Sequence, residues 1–244
     1  RYFYLIIFLK VLKFLIEKLL IKKEKLKMKK FSKILLVCTL FLSLSLLSYS
    51  NESKNLSSKE ALQKLVEGNE RFIKEDYSNQ HIDKDYRKEL TKGQNPFAIV
   101  VTCSDSRVAP ELLFDQGLGD IFVIRTAGEV VDKLELGSIE YAVEHLGVNL
   151  VIVLGHESCG AVGAVIKGGD IPKNISYIAD EIKPAVDKAK TQKGDFEENA
   201  IKNNVDLIVN KIKKNSEIIE EAKDCKVIGG VYSITTGKVE FFNK

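Results

Sequence analysis

The chain has 244 residues, 45% of them hydrophobic and 29% charged, with four Cys, one Met and no Trp. That fits a globular protein of one domain or two small ones, and four Cys are too few for a disulfide scaffold. The formal charge of +3 hides a split: residues 1–50 carry 11 Lys/Arg against 2 Asp/Glu, leaving 26 against 32 for the remainder. A mildly acidic body lacks the basic clusters that neutralise phosphates, which excludes nucleic acid as an expected partner.

Residues 1–27 are rich in Leu, Ile, Phe and Lys and precede the only Met. They read as upstream sequence translated in frame, with an amphipathic membrane helix as the alternative. From Met28 the chain runs through Lys29, Lys30 and Lys33 into the apolar stretch Ile34 to Leu47, then Ser48-Tyr49-Ser50. A basic start, a short apolar core and a small-x-small end make residues 28–50 a predicted secretory signal. The apolar stretch is shorter than the roughly 20 residues a spanning helix needs. Val37 before Cys38 speaks against a lipoprotein. The expected product is exported, periplasmic or extracellular, with no stable membrane anchor after cleavage, and residues 51–244 form its one domain.

Within that domain Ser57 and Glu60 have capping-box spacing, and Leu62, Leu65, Val66 and Phe72 follow at helical spacing. A second short helix is expected over Asp83 to Leu90, ended by Gly93 and Pro96. Four unalternated apolar runs follow: Phe97 to Thr102, Ile121 to Ile124, Leu150 to Leu154 and Val227 to Val231. Such runs suit strands buried on both faces of a parallel sheet. Helices are predicted over Ala109–Phe114, Leu136–His145, Gly160–Ile166, Ile175–Ala189 and Asn199–Ala222. Thr236-Gly237 turns into a last, edge strand over Lys238–Phe242. The fold class is therefore α/β: one domain, a mostly parallel sheet of about four strands plus an edge strand, flanking helices and an N-terminal helical arm.

The first run ends in Cys103-Ser104-Asp105-Ser106-Arg107, and the third in Gly155-His156-Glu157-Ser158-Cys159-Gly160. Open α/β sheets place ligands beyond the carboxyl ends of their strands. Two neighbouring strands with these ends would gather Cys103, His156, Cys159 and Asp105. Two thiolates and an imidazole suit zinc, and the fourth position falls to water or to Asp105, the mark of a catalytic site. The alternatives are ordinary buried cysteines, a histidine serving as a helix cap, a surface ion pair of Asp105 with Arg107, and a structural zinc.

These paired motifs resemble the β-class carbonic anhydrases, over about Leu56 to Phe242. The resemblance implies one zinc per chain on Cys103, His156 and Cys159, and a dyad of Asp105 and Arg107. It implies reversible hydration of CO2 to bicarbonate by zinc-bound hydroxide, with Asp105 accepting a hydrogen bond from that hydroxide in an open form or binding zinc in a closed one. Gln94, Phe122 and Tyr141 fall where plant-type members have the substrate-binding Gln and an aromatic CO2 pocket. Gly128 and Gly160 are expected to bring backbone N–H groups near the substrate. The resemblance also implies a homodimer or higher homo-oligomer in which a neighbour completes the pocket, so that Gln94, Phe122 or Tyr141 would act across an interface. Hydrolysis of CS2 or COS on the same fold, and a noncatalytic zinc or bicarbonate-binding protein, are the competing functions. His81 and His145 are the other imidazoles and receive surface or core roles rather than a proton shuttle. Cys225 is expected to be an inert free thiol.

Overall fold

The structure, a computed structural model, describes residues 56–78 and 81–242 together with Lys10 and Lys13. The predicted signal and the segment upstream of it otherwise lie outside the described residues. Asn55–Lys244 form one compact unit.

The unit opens with α1 (Ser58–Ile73), whose start is the predicted capping box: Ser57 Oγ accepts from the Glu60 amide, and the Glu60 carboxylate accepts from the Ser57 amide at 2.9 Å. This helix packs on the sheet through Ala61 and Leu65, both fully buried, whereas α2 (Lys84–Leu90) buries no residue. The remaining elements alternate: β1 (Ala98–Cys103), α3 (Pro110–Leu113), β2 (Ile121–Thr126), a 3-10 turn (Ala127–Glu129), α4 (Lys133–Leu146), β3 (Leu150–His156), α5 (Gly160–Lys167), α6 (Lys173–Ala189), α7 (Phe196–Asn215), α8 (Glu217–Glu221), β4 (Lys226–Tyr232) and β5 (Val239–Phe242).

The sheet order is β2-β1-β3-β4-β5, with the first four strands parallel and β5 antiparallel at the edge. Every residue of β1 and β3 is buried, which is why their apolar runs do not alternate. Alternate side chains still serve different faces. Ile99, Val101, Val151 and Val153 join the core under α4, α7 and α8, while Ala98, Val100, Leu150, Ile152 and Leu154 join the core under α1. A third apolar cluster holds Cys103 and Cys159 together with Val162, Ile182, Val186 and Ile201 from α5, α6 and α7. It forms the floor on which the carboxyl ends of β1 and β3 rest.

Two departures from the predicted elements have local causes. The single helix expected over Asn199–Ala222 is two, because Ser216 is extended (φ −116°, ψ 109°) and its hydroxyl caps α8 by accepting from the Ile219 amide. The strands β1 and β3 run one and two residues beyond their apolar runs, so Cys103 and His156 are themselves strand residues. Helix α7 lies close on β3 because residue 155 is glycine: a Cβ there would stand 2.6 Å from Val205 Cγ2.

Candidate metal centre

β1 and β3 are neighbours, in register from Ile99 opposite Val151 to Thr102 opposite Leu154. They therefore end at the same level. Cys103 closes β1, His156 closes β3, and a tight turn carries the chain to Cys159, which precedes α5. That turn needs Ser158 in the left-handed region at φ 54°, an uncommon conformation for a non-glycine residue. The result is a triangle of buried ligand atoms from Cys103, His156 and Cys159, all within 4.8 Å of one another.

The donor chemistry fits a soft divalent cation. His156 is wholly buried, its Nδ1 lies 2.9 Å from the Glu157 carbonyl, and its Nε2 has no hydrogen-bond partner. A carbonyl can only accept, so the proton sits on Nδ1 and the Nε2 lone pair is free. The hydrogen bond from Cys159 first, and the Gly128 amide beside it, hold the Cys103 thiol far below its ordinary value. Donating that bond, with burial second, pushes Cys159 up. Two buried sulfurs sharing a proton are the donor set in which a metal ion replaces the proton.

Asp105 stands at the rim. Its carboxylate makes a two-pronged pair with Arg107, Nε to Oδ1 at 2.9 Å and Nη2 to Oδ2 at 2.8 Å, and also accepts the Arg107 amide. These bonds, the side-chain pair first, hold the Asp105 carboxyl well below the usual carboxylate range. Its Oδ2 lies 3.9 Å from His156 Nε2, and Asp105 is not one of the ligand triangle. Arg107 also donates to the Ser158 carbonyl, joining the β1 and β3 loops.

Several expected neighbours are elsewhere. Gln94 is exposed and precedes β1, whereas Cys103 closes that strand; six extended residues span roughly 20 Å. Phe122 and Tyr141 do meet, with ring centroids 6.5 Å apart, but on the edge strand β2 and helix α4, with Tyr141 46% exposed. Phe122 pairs in register with Ile99, near the opposite end of the sheet from the triangle. Gly160 opens α5 and has open space where a side chain would go. The Gly128 amide donates to Cys103 Sγ at 3.3 Å, beside the triangle. His81 stacks on Tyr86 and pairs with Asp120, and His145 packs against Tyr141, so neither adjoins the triangle. Cys225 is half-buried, and burial pushes its thiol up to about 11, as suits an inert thiol.

Three residues at this end of the sheet carry no signal in the motifs. Arg125 on β2 donates to the carbonyls of Cys103 and Asp105, fixing the β1 loop from the side. Glu129 is 1% exposed and Asn204 on α7 is fully buried, and they bond each other at 2.9 Å. Arg125 lies in the last two residues of β2 and Glu129 in the turn just after it, at the carboxyl end of the strand, where charged residues merit the same scrutiny as Asp105. Asn204 reads in sequence as one more polar residue on a helix.

Comparison with known proteins agrees with this geometry. A family model described as carbonic anhydrase matches residues 98–239. Carbonic anhydrase 2 of Mycobacterium tuberculosis is 39% identical over 182 residues, covering 71% of this chain and 87% of that protein. The carbonic anhydrase of Mycolicibacterium smegmatis is 48% identical over 128 residues, covering 50% of this chain and 61% of that protein. The solved β-carbonic anhydrase of Coccomyxa, in complex with acetazolamide, superposes with a TM-score of 0.58 at 28% identity, covering 73% of this chain and 85% of that one. The chain belongs to the carbonic anhydrase family, in its β class.

Burial of Glu129 has a measurable consequence. Desolvation, with the nearby Cys103 charge adding to it, pushes this carboxyl up to about 7 from an ordinary 4.5, against the bond from Asn204. A folded value above the unfolded one favours the folded state fully below about pH 4.5, and that contribution is lost as pH rises through about 7. The metal-free protein should lose on the order of 3 kcal/mol across this window through Glu129. Glu129→Gln should flatten the profile there in urea unfolding at pH 5 and pH 7.5. An unchanged slope in the mutant would assign the pH dependence to other groups.

Proposed function

We propose that this chain hydrates CO2 reversibly to bicarbonate and a proton at a zinc centre held by Cys103, His156 and Cys159. The observation that carries the reading is the buried triangle of two sulfurs and an imidazole whose Nε2 lone pair has no hydrogen-bond partner. Zinc, when bound, lowers the pKa of a water toward about 7 and so supplies the nucleophile at neutral pH. The protein's part is to aim it. Asp105, ionised and therefore only an acceptor, takes the hydrogen bond of the reacting O–H and fixes which lone pair faces CO2. Arg107 keeps that carboxylate ionised and holds its plane through the two-pronged pair. Because Arg107 occupies both oxygens of Asp105, the geometry supports the open form, with Asp105 as orienting group rather than ligand.

Zinc content and CO2 hydration test this together. The full protein should hold one zinc per chain, and Cys159→Ala should lose it. Asp105→Asn should keep most of the zinc yet cut hydration by about 100-fold or more, in the range for an acid–base group. Full activity in that variant would leave the dyad a structural pair, and loss of zinc with activity would make Asp105 a ligand.

The CO2 pocket requires a second copy of the chain in this reading. Gln94 lies a strand's length from Cys103, while half-buried Phe122 and exposed Tyr141 form an aromatic pair at the β2 edge. We propose that these three residues of one subunit complete the pocket of its neighbour in a homodimer or larger homo-oligomer. Mixing Gln94→Ala chains with Asp105→Asn chains discriminates. Each hybrid dimer then contains one site with both defects and one with neither, so a 1:1 mixture should recover roughly a quarter of the wild-type rate by two-fold symmetry. A mixture no more active than the mean of its parents would place the pocket within one chain.

We also propose that residues 28–50 are a secretory signal ahead of the domain at 51–244, from the basic start, short apolar core and small-x-small end. Protein recovered from cells should begin near Asn51 by N-terminal sequencing. Cytoplasmic protein still carrying residues 28–50 would reject the signal.

A further inference from the structure

Glu129 and Asn204 stand beside the triangle, and the proposed reaction uses neither. Asn204 Nδ2 donates twice, to the Gly128 carbonyl at 2.8 Å and to Glu129 Oε1 at 2.9 Å. Those two bonds use both of its N–H groups. Gly128 in turn gives its own amide to Cys103 Sγ. One side chain on α7 is thus two bonds away from a metal-ligating sulfur on β1. The arrangement is costly to fold: Glu129 takes φ 46° although it is not glycine, and Glu129 Oε2 and Asn204 Oδ1 are buried without hydrogen-bond partners. The turn cannot easily shift to relieve this, because a Cβ at Gly128 would stand 2.6 Å from Ile182 Cδ1 and 3.2 Å from Ala161 Cβ.

We propose that Asn204 is a positioning residue of the metal centre: it holds the Gly128–Glu129 turn so that the Gly128 N–H stays on the Cys103 sulfur, while Glu129 fixes which way the Asn204 amide faces. An N–H donor draws charge from a thiolate, which favours the deprotonated ligand and leaves the metal the stronger Lewis acid. The orientation of Asn204 matters because an amide has two unlike ends. Reversed, its oxygen would meet the Gly128 carbonyl, acceptor against acceptor. Glu129 Oε1 faces Asn204 as an acceptor and so selects the donating end.

The plainer reading is a structural tie between the 3-10 turn and α7. The neighbouring Asn203 supplies the comparison. It is 5% exposed on the same helix and donates to the Ala185 carbonyl and to Gln192 Oε1, tying α7 to α6 and its C-terminal loop with no bond to the site. Loss of either Asn should lower stability, but only Asn204 should reach the metal.

The inference rests on the triangle being a metal site, and the two can fail separately. Zinc affinity is measured by chelator competition on the full protein in wild type, Asn204→Ala, Asn203→Ala and Glu129→Gln. The sulfur-to-cobalt charge-transfer band is recorded for the cobalt-substituted forms. Asn204→Ala should weaken zinc about 10–100-fold, as losses of groups that orient ligands do, and should shift the band. Asn203→Ala should leave affinity and band at wild-type values. Glu129→Gln, which keeps an acceptor oxygen for Asn204, should stay close to wild type. Equal zinc affinity in the two Asn variants, with the band unmoved, would overturn the inference while leaving the metal site intact. A large loss in Glu129→Gln would also overturn it, since charge at 129 rather than the Asn204 amide would then govern. Wild type that binds no zinc would instead refute the metal reading itself. Should Asn204→Ala not fold, Asn204→Asp, of the same shape but without donors, takes its place. Wild type alone also decides: with 113Cd in the site, the Gly128 amide proton should show scalar coupling to the metal through Cys103, and its absence would overturn the bond.

Discussion

The parallel pairing of β1 with β3 is the contact on which the site depends. Cys103 comes from one strand and the His156–Cys159 turn from the other, 53 residues later, and only their common end level brings the sulfurs and the imidazole together. A slip of one residue would exchange the faces of β1, moving Ile99 and Val101 into the core that now holds Ala98 and Val100. Two differently filled cores therefore lock the register. A buried bond from Thr102 Oγ1 to the Leu154 carbonyl, 2.7 Å long, fastens it one residue before the ligand. The geometry of the centre is in this sense set by hydrophobic packing several residues away from it.

At that end of the sheet the protein gathers four groups able to release a proton, Cys103, Asp105, Glu129 and Cys159, in surroundings that resist charge. Each is handled differently. Asp105 is ionised by a guanidinium on the solvent side. Contact between the two cysteines holds the Cys103 thiol low and pushes Cys159 up, and Glu129 is held at a high value by burial. Arg125 donates to the backbone carbonyls of Cys103 and Asp105 and so acts on shape. This division separates the rim, where Asp105 pairs with Arg107, from a buried floor, where Asn204 bonds to Gly128 and Glu129 and the Gly128 amide bonds to the Cys103 sulfur.

The grouping of the candidate site's residues was legible because it is written locally. Cys103-x-Asp105-x-Arg107 and His156-x-x-Cys159 each lie within one loop, so residue type and spacing nearly fix which atoms can meet. The Asp105–Arg107 pair is such a case: the two side chains are separated by one residue, and their bonds close within that turn. The residues expected at a substrate pocket cannot be read in this way. Gln94, Phe122 and Tyr141 were placed by resemblance, and within a single chain Gln94 and Tyr141 are exposed while Phe122 is half-buried against the core, at the far end and edge of the sheet. No spacing rule reports which surface a second copy would cover.

What the sequence by itself determined is the class of fold, the strands and most helices, and that Cys103, His156 and Cys159 would gather at two strand ends with Asp105 and Arg107 beside them. Apolar runs, capping boxes and loop motifs act over a few residues and need no distant partner to be read. Only the tertiary structure decided that Ser216 divides α7 from α8, that the Gly128 amide turns to Cys103 rather than outward, and that Asn204 closes on Glu129 from 75 residues away. A buried polar group must find its hydrogen bond wherever the packed chain offers one, and that choice is made by the meeting of whole elements rather than by the pattern within any of them.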